Sequence, residues 1–536
     1  MDYIYYNGNI ITMEKQDEQF SAMLVCGDRI VLLGTDEEVL RRKTASTECV
    51  DLQGKTILPG FIDAHGHFLI NALTSHMFVD VSCAPAGNIR CMDDLIQILK
   101  KADEEQPGKH MLIGFGFDDT LIEEYRMPET KDLDQVSTER GIIILHPSLH
   151  MMSANTKAIE LAGVASPDFH PEGATIYRDA EGKPTGVFEE MGAMGPFLKK
   201  AASAKMISQL PAAIGKTCQQ YMEKGVTTVC EGAGGNAMAT LTNAAEKVGK
   251  FPVRYIVCPS MGKKVPKKMN RKDPLKYIDG PVKLIQDGSI QIYTAGLSEP
   301  YTVQHAGRAK SDDYKGFQIR DMASLRKLFE EIIAAGRTFA IHGNGDGTID
   351  TIIEALSGCR NLSEIQPRNL LIHSQMIRED QLDKLHELHL YPSFFPSHVY
   401  VWGDRHKSSF IGEERANRIN PCGSALKRSI PFSLHNDPPV TKVNPLSSVW
   451  SAVTRQTSSG EILGVEQCIP VYDALKAVTI DAAWQYGLDD MLGSLAPGKK
   501  ADFILLDSNP LTCEADKLPQ IQVEKVWIDG KTVWNV

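Results

Sequence analysis

His65 and His67 stand two residues apart in Leu58-Pro-Gly-Phe-Ile-Asp-Ala-His-Gly-His-Phe68, at the end of a short apolar run. Residues two apart on a strand project from the same face, so both imidazoles can reach one point at the strand's C-terminal end. That arrangement suits a bound metal ion. A chance pair of surface histidines is the competing explanation in a chain with 15 histidines, and the setting decides against it. Pro59-Gly60 opens the run with a turn, Phe61 and Ile62 have strand character, and Gly66 leaves room beside the rings for an ion or ligand.

Four further residues have the same character. Lys283 lies inside the apolar stretch Pro281-Val-Lys-Leu-Ile-Gln286, where an unpartnered ammonium would be costly, so it is expected to be ion-paired or chemically altered. His342 ends Phe339-Ala-Ile-His342, and His373 ends Leu370-Leu-Ile-His373. A core histidine would explain either one, but not both at matching strand ends. Asp437 follows Ser433-Leu-His-Asn, and Pro438 discourages a helix there, which keeps the carboxylate on a loop. Taken alone, Asp437 reads more readily as a turn residue before proline than as a catalytic group.

These side chains need a scaffold that gathers them. With 42% hydrophobic and 23% charged residues over 536 positions, the chain can bury a large core, which excludes disorder and suggests more than one structural unit. A net charge of −11 argues against general nucleic-acid binding. No apolar run of membrane-spanning length and no secretory leader stands out, so a cytoplasmic location is expected, without nucleic-acid or membrane partners. Eleven cysteines lack any Cys-x-x-Cys pair, which disfavours a disulfide framework and a thiolate zinc knuckle.

Between residues 58 and 490, β-branched apolar runs alternate with helical segments. Strands are predicted at 61–65, 226–230, 253–258, 282–286, 338–341, 369–372, 390–394 and 431–434, with helices such as 211–224, 321–335 and 378–388 between them. That alternation predicts an α/β fold, a (β/α)₈ TIM barrel with its site at the strands' C-terminal ends. About 140 residues after the first strand exceed an ordinary connection. Residues 69–210 are therefore read as an inserted substrate lobe, with a strand at 141–145 and a hairpin region at 172–190. The two chain ends, 1–57 and 491–536, are β-rich, with turns at Asn7-Gly8, Gly27-Asp28 and Asp529-Gly530. Each is too small for its own core, so together they are expected to form one composite β-sandwich.

The undecapeptide at 58–68, the segment Gly493-Ser-Leu-Ala-Pro-Gly-Lys-Lys-Ala-Asp-Phe503 and the ordered set His65, His67, Lys283, His342, His373 and Asp437 resemble the amidohydrolase superfamily. Gly114-Phe-Gly-Phe-Asp118, Asp287-Gly288-Ser289, Glu299-Pro300-Tyr301 and His342-Gly-Asn-Gly-Asp346 resemble its YtcJ-like branch, amidohydrolase family 3, and the resemblance spans essentially the whole chain. It implies one divalent ion on His65, His67 and Asp437 and a second on His342 and His373, with an N6-carboxylated Lys283 between them. Asp437 would take a proton from the attacking water and pass it to the departing nitrogen. Zinc suits these ligands, while manganese, cobalt and iron are compatible with them.

The function implied is hydrolysis of a non-peptide C–N bond in an N-acyl, N-formyl or cyclic amide. Deamination of an aminated heterocycle at a single metal is the nearest alternative, and Lys283 argues against it because a bridging lysine has no purpose there. Ester or lactone hydrolysis stays open, as does a non-catalytic ligand-binding or regulatory protein on the same fold. For the small-molecule substrate, Asp118, His150, Glu190 and Tyr301 are the candidate contacts, although each taken singly reads more readily as structural. Phe115, Phe117, Phe394, Phe395 and Trp402 are expected near the barrel mouth or in the core. The basic stretch Lys263–Lys272 reads as a solvated loop or an anion lure, and a homodimer is the candidate assembly.

Overall fold

Runs of β-branched and aromatic residues bury both faces in the middle of the chain, as parallel strands covered by helices must. In the computed structural model, the described residues are 2–536 apart from 107, 109, 172–173, 203, 236–241, 243–244, 248–249, 270–272, 303–310, 361 and 363–366. The barrel strands are β1 (Phe61–Ile62), β2 (Val226–Gly234), β3 (Arg254–Pro259), β4 (Val282–Ile285), β5 (Phe339–Gly343), β6 (Asn369–His373), β7 (Leu390–Phe394) and β8 (Ser433–Leu434). They lie in sequence order as two parallel sheets.

One length of chain joins the two sheets. Tyr277–Asp279 pairs with β3, and after Gly280-Pro281 the chain continues as β4 and pairs with β5. A Cβ on Gly280 would come within 2.9 Å of the Val257 carbonyl, so only glycine lets the backbone pass there. Across the seam between β8 and β1, the His67 N–H donates to the Pro438 carbonyl at 2.7 Å.

The β-rich ends form the two sheets of a sandwich. One orders Arg29–Gly34, Ala22–Cys26, Asp2–Tyr6 and Thr47–Asp51, and the other orders Lys531–Asn535, Val523–Ile528, Phe503–Leu506, Thr56–Pro59, Asn9–Ile11 and Gln19–Phe20. Tyr5, Met23, Ile57, Phe503 and Trp527 pack between them, with the last two rings stacked at 4.5 Å. Asp529 and Gly530 both have positive φ, as a type I′ hairpin turn requires. Thr56–Pro59 leads through Gly60 directly into β1, which puts the sandwich at the barrel's N-terminal end.

The inserted lobe is more regular than its sequence suggests. Thr175–Arg178, Pro184–Glu189, Met151–Ala154, Ile142–Leu145, Leu112–Phe115 and Val79–Asp80 make one six-stranded sheet. Leu112–Phe115 and Met151–Ala154 escape sequence reading because glycine, methionine, serine and alanine carry little strand signal. Residues 172–173 of the predicted hairpin region lie outside the described residues. Among the described residues, no helix is long and apolar enough to cross a membrane.

Candidate metal centre

The two histidines of the opening motif converge, but not as strand neighbours. β1 ends at Ile62, and His67 already caps the helix Phe68–Met77 with φ −121° and ψ 74°. The rings nevertheless meet at 5.5 Å, because the turn between them is tightly packed. The space expected beside Gly66 is taken by protein, since a Cβ there would meet Pro438 at 2.8 Å and Asp63 at 3.1 Å. Gly232, at the end of β2, supplies room for the His65 ring; a Cβ there would lie 2.3 Å from its Cε1.

Asp437 stands at the centre. Its Oδ1 lies 3.8 Å from Nε2 of His65 and 3.7 Å from Nε2 of His67, while its Oδ2 lies 3.8 Å from Nε2 of His373. Nitrogen and oxygen atoms that share one ion at about 2.0–2.2 Å from it cannot be much more than about 4.2 Å apart. These separations satisfy that limit. Among the described residues, Asp437 Oδ1 and His67 Nδ1 have no hydrogen-bond partner, and both are buried. His65, His373 and Asp437 together form a buried group able to hold a cation.

Lys283, from β4, is buried with Nζ 3.3 Å from Nε2 of His65, an imidazole rather than a carboxylate. His342 and His373, from the ends of β5 and β6, face each other at 4.7 Å between ring centroids. All six residues of the metal set therefore surround one region at the C-terminal mouth.

Burial sets their protonation. It depresses His65 and His373 well below the ordinary imidazole range, and together with the nearby Lys283 charge it brings His67 to about 3. Neutral imidazole is the form that coordinates a metal. Burial lowers the Lys283 ammonium and pushes Asp437 up to about 7, against the opposing pull of Lys283. Every group is shifted toward its uncharged form, and a divalent cation would reverse that for the carboxylate.

Supporting residues that the sequence did not single out orient these side chains. Asp287 Oδ1 accepts from His342 Nδ1 at 3.1 Å, and its carboxylate also accepts the backbone N–H groups of Asn344, Gly345 and Gly296. This fixes the His342 tautomer and leaves Nε2 toward the site, where the Asn344 amide stands at 3.3 Å. His373 Nδ1 lies 3.1 Å from His435 Nε2, and His435 Nδ1 lies 2.9 Å from Ser393 Oγ. The polarity that frees His373 Nε2 runs from His373 through His435 to Ser393. Glu231, at the end of β2, accepts the Leu69 N–H and lies 3.9 Å from His67 Nδ1. Asp63, with neither carboxylate oxygen hydrogen-bonded to a side chain, is raised well above the ordinary range by burial and then by Asp437. His435 and Asp63 lie two residues from metal-set members, so proximity in sequence was the only available signal. Asp287 sat in a recognised motif without an assigned role.

A cavity of about 60 Å³, enough for a few waters, opens over the centre. His146, Ser148 and His150 from the lobe line it, with Phe395, His398, Trp402 and Val440 from the barrel. Of the four candidate substrate contacts, only His150 lines this cavity. Glu190 stands behind it, with Oε2 3.1 Å from His150 Nδ1. Asp118 is buried one step further back. It accepts from Trp402 Nε1 at 2.8 Å and from Thr120, and it lies 3.6 Å from His146. Burial would raise Asp118, but His146, Thr120 and Trp402 outweigh it and hold the carboxyl below its usual range. Tyr301 lies elsewhere, its buried hydroxyl donating to the Ala295 carbonyl. Of the aromatic residues, Phe395 and Trp402 reach the cavity, Phe115 lines a separate cleft, and Phe117 and Phe394 belong to the core. Lysines 263, 264, 267 and 268 are exposed on a loop, and residues 270–272 of that stretch lie outside the described residues.

Residues 48–534 match the amidohydrolase family. The N-substituted formamide deformylase of Arthrobacter pascens is 26% identical over 550 residues, covering 99% of this chain and 97% of its own. The putative amidohydrolase YtcJ of Bacillus subtilis is 26% identical over 564 residues, spanning all of both chains. Among solved structures, an uncharacterized metal-dependent hydrolase from Pyrococcus horikoshii superposes with a TM-score of 0.75 at 22% identity, covering 96% of this chain and 99% of that one. At that identity the likeness speaks to the fold.

Proposed function

The chain belongs to the amidohydrolase family, and from that premise we propose that it hydrolyses a non-peptide C–N bond of a small N-formyl, N-acyl or cyclic amide. The observation that carries this reading is Asp437. Its buried carboxylate reaches three imidazole Nε2 atoms at 3.7–3.8 Å, and its Oδ1 has no donor among the described residues. Such an anion is costly unless a cation joins it.

His65, His67 and Asp437 would hold one divalent ion and His342 and His373 a second, with Lys283 between them. Zinc suits the donor set. When bound, such ions lower the pKa of a water and polarise a carbonyl oxygen, the two demands of amide hydrolysis. The buried Lys283 amine is biased toward its neutral form, the form that adds to carbon dioxide, which supports N6-carboxylation. Asp437 Oδ1 would take the proton of the attacking water. Asp287 and the His435–Ser393 pair would hold the imidazoles in register, and Phe395, Trp402 and Val440 would exclude bulk water. The N-formyl class is favoured among amides by the likeness to the formamide deformylase over nearly its whole length.

The test is metal content of protein purified with bicarbonate, beside Lys283→Ala, and turnover of N-formyl, N-acyl and ester substrates. About two ions per chain, with both ions and amide turnover reduced in the variant, is the expected result. One ion in both proteins with deamination of heterocycles, or no ion and no turnover, would sink the reading.

A further inference from the structure

The inserted lobe reaches the metal centre through one tight turn. Ile142–Leu145 gives way to His146-Pro-Ser-Leu-His150 before Met151–Ala154 returns antiparallel. The His146 N–H donates to the Met151 carbonyl and the Leu149 N–H to the His146 carbonyl, so the turn closes on itself and carries a histidine at each end. Both line the cavity that also holds His342, His373 and Asp437.

Their partners differ. His146 Nδ1 accepts the Ser148 N–H at 3.1 Å, and the ring is buried against Asp118. The His150 and Glu190 side chains are 28% and 27% exposed, and His150 Nδ1 meets Glu190 Oε2 at 3.1 Å. The backbone fixes this second pair as well. The Glu190 N–H donates to the His150 carbonyl at 2.8 Å, and Met151 pairs with Glu189 in the sheet. Glu190 itself has φ 67°, a left-handed conformation unusual for a residue with a Cβ and held where strand Pro184–Glu189 becomes a helix. Such strain is retained where the surrounding structure enforces it, and here it aims a carboxylate at an imidazole. With Glu190 as acceptor, Nδ1 carries a proton and Nε2 is the ring atom left for the cavity. A carboxylate in this position fixes the tautomer and the orientation of the ring.

We infer that His150 is a second catalytic group whose Nε2 protonates the departing nitrogen, with Glu190 as its positioning residue. The inference rests on the C–N hydrolysis reading above, and it moves the last proton transfer from the barrel to the lobe. Water adds its oxygen to the carbonyl carbon and yields one proton to Asp437. The C–N bond then breaks, its electron pair stays on nitrogen, and nitrogen takes the Nε2 proton of the imidazolium. Asp437 releases its proton to solvent and His150 regains one through its exposed edge, so one water is consumed and an acid and an amine are formed.

The test compares leaving groups. Wild type, His150→Gln and Glu190→Gln, each checked for metal content and melting temperature, are assayed on N-formyl alkylamines, N-formyl nitroanilines and the matching formate aryl esters. His150→Gln should lose roughly 100- to 10,000-fold on the alkylamines, whose nitrogen cannot leave unprotonated, and far less on the nitroanilines and esters. Glu190→Gln should show the same pattern with a smaller loss. An equal loss across all leaving groups, or no loss, overturns the assignment while the hydrolase reading stands. Failure of the wild type on every amide sinks that reading and this inference together.

Discussion

At the N-terminal end of the barrel, Arg254 is buried with its Nε and Nη2 on the two oxygens of Asp502 at 2.6 and 2.9 Å, and with Nη2 also on Asp529 at 2.8 Å. Nη1 donates to the Leu275 carbonyl, and Lys500 adds a second cation 2.9 Å from Asp529. At the C-terminal end the metal set is buried as deeply, yet Asp437 Oδ1, His67 Nδ1, both oxygens of Asp63 and Glu231 Oε1 lack hydrogen-bond partners among the described residues. The first cluster is complete in itself and fastens β3 to the sandwich. The second is held in place by its neighbours while these polar atoms stay unpaired, a state kept only where something else completes them.

The sharpest way to separate the two ends is to neutralise one anchor in each. Asp437→Asn should lower turnover by at least about 1,000-fold, as removal of a group that moves a proton does, without lowering the denaturant midpoint of metal-free protein. Arg254→Met should do the reverse. Loss of the guanidinium leaves Asp502 buried without its partner and should cost about 3–5 kcal/mol, read in denaturant melts, with the kcat of the folded fraction retained. A variant Asp437→Asn that unfolds, or an Arg254→Met that is stable but inactive, would break the contrast.

Metal removal should act on one end alone. Reloading metal at a thousandfold excess over its dissociation constant should add about 4 kcal/mol of stability, equally in wild type and Arg254→Met, as calorimetry would show. Asp287→Asn sits a step back from the metal and should lower activity or metal affinity by about 10- to 100-fold, read by titration with the metal.

The pH dependence separates the two ends by sign. Burial raises Asp529, but Arg254 and Lys500 outweigh it and hold the carboxyl below its usual range. Its stability contribution is present above the unfolded carboxylate pKa and is lost as pH falls through the lower folded value. Asp437 is displaced upward to about 7, so metal-free protein should bind a proton on folding and lose stability as pH rises from the unfolded carboxylate range toward 7. Asp437→Asn should remove that slope and Asp529→Asn should flatten the acid limb, both measurable as melting temperature against pH.

The barrel was legible because its strands are apolar and β-branched, a pattern that buries both faces. β7, predicted at 390–394, occupies Leu390–Phe394, while β1 stops at Ile62, short of the predicted 65. A strand prediction extends as far as apolar character does, whereas the true end is set by neighbours, here the β2 register and the packing of Gly66 against Pro438. Tyr301 and His150 illustrate the limit at the site. Both lie in motifs of equal local appearance, yet one hydroxyl is spent on the Ala295 carbonyl and the other ring lines the cavity. His435 was invisible as a supporting residue because its partners, His373 and Ser393, are 62 and 42 residues away.

By itself the sequence determined the strand-ending histidines, the lysine stranded in an apolar strand, the β-rich ends and the family, because residue type and short-range spacing carry each of them. Tertiary structure alone decided that Asp437 reaches three imidazoles, that Asp287 and His435 orient two of them, and that the lobe delivers His150 with Glu190 behind it. Those arrangements join residues far apart in the chain. Their distances are set by how sheets close and lobes dock, which short-range spacing does not encode.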